Sequence, residues 1–227
     1  MIAFSNVSKV YEKNSPALEG INLEIKQGEF VSLVGKSGAG KSTLIKLLIG
    51  EEKPSKGKIV FSSMEITKLL PRDLPSFRRQ IGIVFQDFKL LSKKNAYENV
   101  AFALEVKGRP QEEIEELVPQ VLDLVGLREK QARFPHELSG GEKQRVAIAR
   151  AIIHHPGVLI ADEPTGNLDE ENTEEIINLL SKINELGTTV ILATHNKNVV
   201  NLLRKRVITL SEGKIVRDEE RARYSLS

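Results

Sequence analysis

The chain has 227 residues, 40% hydrophobic and 28% charged, an ordinary composition for a globule long enough to fill one substantial α/β core. A formal net charge of +2, with basic residues scattered rather than striped, gives no electrostatic case for nucleic acid. There is no cysteine, which excludes disulfides and thiolate metal sites, and no run approaches the roughly 18 apolar residues that a membrane span needs.

The first third predicts strands. "MIAFSNVSKVYEK" lacks the basic region and long apolar run of a secretory signal. It and "INLEIKQGEFVSLVG" carry β-branched and aromatic residues in partial alternation, broken by Gly20, Gly28 and a turn expected at Asn14-Ser15-Pro16. "FVSLV" runs into a Gly-rich loop, and a helix follows from about Lys41 to a glycine stop at Gly50. "GKIVFSS" and "IGIVF" read as strands. From Asp87 to His155 the period becomes helical. In "EEIEELVPQVLDLVGL" the residues Ile114, Leu117, Val118, Val121, Leu122 and Val125 share one helix face, with Pro119 expected to kink or split it.

After Pro156 the apolar runs "VLIA" and "TTVILAT" read as strands buried on both faces, separated by the helix "EENTEEIINLLSKINELG". "RVITLSEGKIVRD" reads as a hairpin turning at Ser211 to Gly213, and "EERARYSLS" as a frayed end. No repeat or linker marks a second domain. The expected organisation is one α/β domain over 1–227, with a core from 1–86 and 156–227 and an inserted helical segment at 87–155.

Gly35-Lys36-Ser37-Gly38-Ala39-Gly40-Lys41-Ser42 matches G-x-x-x-x-G-K-[ST], placed after an apolar strand and opening a helix, with Thr43 next. Glycines let successive N–H groups point inward around a phosphate, and the helix start adds partial positive charge. Lys41 then reaches the β- and γ-phosphates of a nucleotide and the Ser42 hydroxyl ligates Mg²⁺.

"VLIADEPTG" puts Asp162 and Glu163 together at the carboxyl end of a strand, where open α/β sheets bind ligands. Adjacent acids repel unless a cation compensates. Asp162 is expected to hold Mg²⁺ through water, and Glu163 to orient or deprotonate the attacking water. Gln86 and His195 also follow apolar strands, but a lone Gln or His at a strand end is ordinarily a satisfied turn residue. His136, His154 and His155 suggest no role.

"LSGGEKQR" raises a further question. Ser139 and Glu142 form an S-x-x-E capping box, which accounts for those two residues. Two consecutive glycines, Gly140 and Gly141, need another reason, because glycine in a helix start is entropically expensive unless something approaches closely. The expected client is a phosphate left exposed by the first loop and held by a second copy of the chain, each chain completing the other's site.

Together these motifs resemble the ATP-binding-cassette (ABC) ATPases. Tyr11, Gly35 to Thr43, Gln86, Leu138 to Glu142, Asp162-Glu163, Asn167-Leu168-Asp169 and His195 occur in that family's order, over essentially the whole chain. The resemblance implies a phosphate-loop NTPase core with a mostly parallel sheet, an N-terminal antiparallel β-subdomain and an inserted helical subdomain. It also implies ATP and Mg²⁺ as ligands and an ATP-dependent head-to-tail homodimer with each ATP between one chain's phosphate loop and the other's Ser139-Gly140-Gly141-Glu142.

By the same resemblance Tyr11 stacks on adenine, and Gln86 touches Mg²⁺ and senses an integral membrane partner near Gln86 to Tyr97. His195 contacts the γ-phosphate, and Asp169 lies in the loop crossing the dimer interface. "EPTGNLD" is similar to the group with lipoprotein-release, macrolide-export and cell-division ATPases, and "VFQDFKLL", "YENVAFAL" and "LSEG" are similar to its cell-division members. Ser92 to Ala96 departs from the Thr-Val that relatives carry there. A transporter subunit of the release or export kind is the alternative. A soluble cassette acting on ribosomes or chromosomes fits less well, since the chain has neither two cassettes nor a coiled-coil insert.

Overall fold

A computed structural model describes residues 1–12 and 15–220. In chain order the strands and helices are β1 (Ile2–Glu12), β2 (Ser15–Ile25), β3 (Phe30–Val34), α1 (Lys41–Leu48), β4 (Lys56–Phe61), β5 (Met64–Glu65), α2 (Leu74–Arg78), β6 (Ile81–Phe85), α3 (Ala96–Glu105), α4 (Gln111–Leu124), α5 (Gly140–Ile152), β7 (Val158–Asp162), α6 (Glu170–Glu185), β8 (Thr189–Thr194), α7 (Lys197–Leu203), β9 (Arg206–Ser211) and β10 (Lys214–Glu219). Asn14 of the expected turn lies outside the described residues, as do residues 221–227 of the expected frayed end. Ser15 and Pro16 already belong to β2.

The strands form two sheets. A four-stranded antiparallel sheet has the order β2-β1-β4-β5, and a six-stranded sheet the order β10-β9-β3-β8-β7-β6. In the second sheet β9, β3, β8, β7 and β6 are parallel, and β10 alone runs antiparallel as the outer arm of the expected hairpin. The apolar runs alternate between two cores, as burial on both faces requires. Leu159, Ala161, Val190 and Leu192 pack under α3, α4, α5 and α6. Val158, Ile160, Ile191 and Ala193 face α1 and the antiparallel sheet. The fold is that of a phosphate-loop NTPase.

Between β6 and β7 the described chain is helical, with α3 and α5 packed on each other and α5 also laid against β6. That approach is close: a Cβ on Gly82 of β6 would fall 2.4 Å from the Ala151 carbonyl oxygen. α4 runs unbroken through Pro119, so the expected split does not occur. Its buried stripe is Ile114, Val118 and Leu122, with Leu117 and Val121 half-buried beside it. That apolar face holds the helix together although Pro119 removes one N–H. Two short helices escaped the sequence reading, α2 and α7. α7 is capped by Asn196, whose side chain accepts from the N–H groups of Asn198 (3.0 Å) and Val199 (3.4 Å).

Register decides where the functional loops leave. Val34 of β3 is level with Thr194 of β8, and Ala193 is level with Asp162 of β7, which is level with Phe85 of β6. Residues 35, 86, 163 and 195 therefore emerge side by side at the carboxyl edge of the parallel sheet.

Candidate active site

That edge opens into a cavity of about 590 Å³ lined by Ala17, Lys36, Ser37, Gly38, Gly40, Lys41, Ser42, Thr43, Gln86, Asp162, Glu163 and His195. Gly35 and Ala39 are buried parts of the same loop. Gly40 is the N-cap of α1 at φ 106°, and no side chain caps the helix, so its first-turn N–H groups have no side-chain acceptor. A Cβ at Gly40 would lie 2.7 Å from both the Ala17 carbonyl oxygen and a Leu18 methyl, so the loop can sit against β2 only with glycine there. Lys41 is buried, and its ammonium donates to the carbonyls of Gly35 (2.8 Å) and Lys36 (3.3 Å). A cation is thus held against the loop beside the uncapped first turn of α1, whose N–H groups and partial positive charge suit a polyphosphate.

Opposite stand the acids. Burial, then the neighbouring Glu163, push the Asp162 carboxyl above the ordinary aspartate value, and Lys41 opposes them. Ser42, Gln86 and Asp162 line the same cavity, so a hydroxyl, an amide oxygen and a carboxylate under repulsion are available to one hard divalent cation. The donor set fits Mg²⁺. Glu163 takes a left-handed backbone turn (φ 49°) at the end of β7, fixed by its N–H on the Ala193 carbonyl at 2.9 Å. This turn swings the carboxylate to His195, whose Nδ1 is 2.8 Å from Glu163 Oε1.

Gln86 and Asn167 hold each other. The Gln86 amide donates to Asn167 Oδ1, the Asn167 amide donates to the Gln86 carbonyl, and both bonds are 3.3 Å. Gly166 makes room for this, since a Cβ there would stand 2.7 Å from Gln86 Nε2. The pairing of Asn167 with Gln86 and of Glu163 with His195 is not visible in the sequence. Nothing local in either stretch signals a contact across 81 or 32 residues.

The remaining expected residues lie outside the cavity lining. Tyr11 is half-exposed near the end of β1, with the Lys9 ammonium 4.9 Å from its ring centre. Ser139 caps α5: its hydroxyl accepts the Glu142 N–H at 3.3 Å, and Glu142 Oε2 accepts the Ser139 N–H at 2.8 Å. Lys130 donates to the other oxygen of Glu142, and this bond is the leading cause holding the Glu142 carboxyl below the ordinary glutamate value.

Asp169 caps α6 through the Asn172 N–H at 2.8 Å and also takes the Asn172 amide on both oxygens at 2.9 Å. That amide answers part of the glycine question within the chain. A Cβ on Gly141 would fall 1.8 Å from Asn172 Oδ1, whereas a Cβ on Gly140 would meet nothing nearer than a Leu168 methyl at 3.3 Å. Gly141 is required by α6; Gly140 has no comparable intrachain neighbour. Near the expected partner contact, Phe88 and Leu90 are half-buried against the helical core, Lys93 is exposed and Lys94 half-buried.

A mostly parallel sheet with a phosphate cradle off one strand and paired acids off another defines a nucleotide-hydrolysing cassette. The ABC transporter family model matches residues 18–166, and the chain belongs to that family; it is an ATPase of the ABC type. Among its relatives, it is 53% identical over 224 residues to the cell division ATP-binding protein FtsE of Bacillus subtilis (strain 168), covering 99% of this chain and 98% of that one. It is 49% identical over 213 residues to the same-named protein of Escherichia coli (strain K12), covering 94% and 96%. Of solved structures, it resembles the dimeric post-hydrolysis state of the ATP-binding cassette MJ0796 bound to ADP and Pi, with a TM-score of 0.88, 37% identity and coverage of 99% and 100%.

Proposed function

We propose that this chain is the ATP-hydrolysing subunit of a membrane complex of the FtsE type, seated on an integral membrane partner like FtsX and serving bacterial cell division through control of cell-wall hydrolysis. The observation that carries the reading is the convergence of Lys41, Ser42, Gln86, Asp162, Glu163 and His195 on one cavity beside an uncapped helix start. The high full-length identity to FtsE proteins supports the cell-division branch over the release and export transporters. No helix among the described residues is long and apolar enough to cross a membrane; in this reading the chain sits at the cytoplasmic face through its partner.

In this reading the backbone N–H groups of Gly38 to Thr43 and the Lys41 ammonium bind the β- and γ-phosphates. Ser42, Gln86 and Asp162 would hold Mg²⁺, which supplies neutralisation of charge on the transferring phosphoryl group. Glu163 takes the proton of the attacking water, or orients that water, and His195 steers the Glu163 carboxylate through the 2.8 Å contact before meeting the γ-phosphate. Two chains pair head to tail, so that the Ser139 hydroxyl and the Gly140 and Gly141 N–H groups of one close on the ATP of the other.

Mixing two disabled chains tests this. Lys41→Ala breaks the cradle and leaves the α5 start whole. Gly140→Asp adds a carboxylate facing the expected γ-phosphate and spares the tight Gly141–Asn172 contact. A heterodimer has one site with both defects and one with neither, so ATP retention, and turnover where a single site suffices, should return on mixing. Heterodimers that form without recovering retention would remove the shared-site reading. Identification of the membrane protein co-purified from detergent-solubilised membranes separates an FtsX-like partner from a transporter.

A further inference from the structure

The loop that follows Gln86 is strained in a specific place. Phe88 and Lys89 are consecutive non-glycine residues with left-handed backbones, φ 60° and 48°. Such residues persist only where the surroundings hold them. The holder is Arg150, near the far end of α5: its guanidinium donates to the Lys89 carbonyl at 2.8 Å and to the Phe88 carbonyl at 3.0 Å. Its hydrogen bonds among the described residues go to carbonyls rather than to a carboxylate, and burial pulls its pKa below the ordinary arginine value. A partly desolvated guanidinium on this largely buried helix is spent on two carbonyls, which its planar fork can bridge at once.

Beyond this turn the loop is fixed again. Asn99 of α3, fully buried, accepts the Leu91 N–H at 2.8 Å and donates to the carbonyls of Leu91, Lys94 and Asn95 at 3.1, 2.9 and 2.9 Å. On the other side Gln86 is held by Asn167. Between these anchors Arg150 is the side chain that hydrogen-bonds the Phe88 and Lys89 carbonyls, beside the Lys89–Asp87 ion pair and the packing of Phe88 on the helical core, and it comes from the helix whose first turn is Gly140 and Gly141.

We infer that Arg150 is a positioning residue for hydrolysis: by clamping the left-handed Phe88–Lys89 turn it aims Gln86 into the cavity and ties Gln86 to the helix that begins at Ser139. The inference rests on the reading of Gln86 as a contributor to the cation site. A shift of α5 relative to the parallel sheet must then move the turn, and with it Gln86. Lysine at 150 keeps the charge but cannot bridge two carbonyls in a fixed plane.

The test uses the full chain with ATP and Mg²⁺, and compares Arg150→Lys, Gln86→Ala and Arg150→Lys combined with Lys89→Gly. In Arg150→Lys, amide exchange over residues 86–91 should quicken and turnover fall by about 3- to 30-fold, the scale of a small misplacement near the reacting atoms. Thermal midpoint, and affinity for a fluorescent ATP analogue without Mg²⁺, should stay within about twofold of wild type in binding, as a change of orientation rather than of the cradle requires. Adding Lys89→Gly should return turnover toward wild type, because glycine takes a left-handed φ at no steric cost.

Unchanged turnover and exchange in Arg150→Lys, or losses that track the thermal midpoint and are not rescued by Lys89→Gly, overturn the inference. Gln86→Ala distinguishes the two levels: wild-type turnover there sinks the reading of Gln86 itself, whereas slow turnover there with normal Arg150→Lys sinks only the role of Arg150. One arm needs no substitution at 150. In the wild-type chain, exchange over 86–91 and over 148–152 should respond together to ATP and Mg²⁺, and a response in one segment alone overturns the link.

Discussion

Two helix starts in this chain are made of glycine and serine, and they are built in opposite ways. α1 begins after Gly40 with no side-chain cap, so no side chain of the chain occupies its first-turn donors beside the cavity. α5 begins after Ser139 with a complete capping box, braced further by Lys130 on Glu142. Capping removes two of the donors that an anion would use. A bare start can grip phosphate within one chain. A capped one has only its glycine N–H groups and the serine hydroxyl left to offer, which suits the finishing contact from a second copy rather than the cradle itself.

The comparison breaks first at the chemistry beside α1. Glu163→Gln should lower turnover by about 10²–10⁴-fold, the range of a lost general base, while ATP still binds. Size exclusion in ATP should then show the variant accumulating as dimer. Turnover near wild type would move the base elsewhere and leave the His195–Glu163 contact without a catalytic reason.

Lys41→Ala comes next. It removes the one cation fixed within the cradle's carbonyls, a charge-assisted interaction of about 1.5–3 kcal/mol, or roughly 10- to 150-fold in ATP affinity. Equilibrium binding of labelled ATP checks it. A loss below threefold would mean that backbone N–H groups alone carry the phosphate.

Much of the site was legible because its ligand is backbone. A phosphate loop needs glycines, a lysine and a hydroxyl in one local run, so Gly35 to Thr43 could be read without knowing what packs around it. The paired acids were legible because an apolar strand has to end somewhere, and Asp162-Glu163 is where it does. The contacts that tune these groups were not, since they join segments far apart in the chain that only the tertiary fold brings together. Asn167 on Gln86, His195 on Glu163 and Arg150 on Phe88–Lys89 are of this kind. Arg150 in sequence is one more arginine on a helix.

Gly141 shows the opposite case. Its presence was legible and its reason was not, because the residue that approaches it, Asn172, belongs to the next helix. Gly141→Ala should therefore destabilise the chain by about 1–3 kcal/mol through overpacking, with no ATP present. Asn172→Ala in the same chain should recover part of that loss in a denaturant titration. Gly140→Ala should cost less than Gly141→Ala. Equal losses at the two positions would mean that Asn172 yields and does not decide the cost at Gly141.

The smallest effect separates the brace from the cap at α5. Glu142 accepts both the Ser139 N–H and the Lys130 ammonium, and these hold its carboxyl below the ordinary glutamate value. A depressed carboxyl contributes stability that is complete above the unfolded value, about pH 4.3, and is lost as pH falls through the lower folded value. Glu142→Gln keeps an oxygen for the Ser139 N–H but removes the charge. At neutral pH it should therefore lose only the surface ion pair, about 0.2–1 kcal/mol, whereas Ser139→Ala should lose the cap, about 0.5–2 kcal/mol. The Gln variant should also lose less stability than wild type on acidification below pH 4.3, so the two unfolding curves converge there. If they stay parallel down to acid, Lys130 and Glu142 are neighbours without an energetic bond, and the capping box alone holds the start of α5.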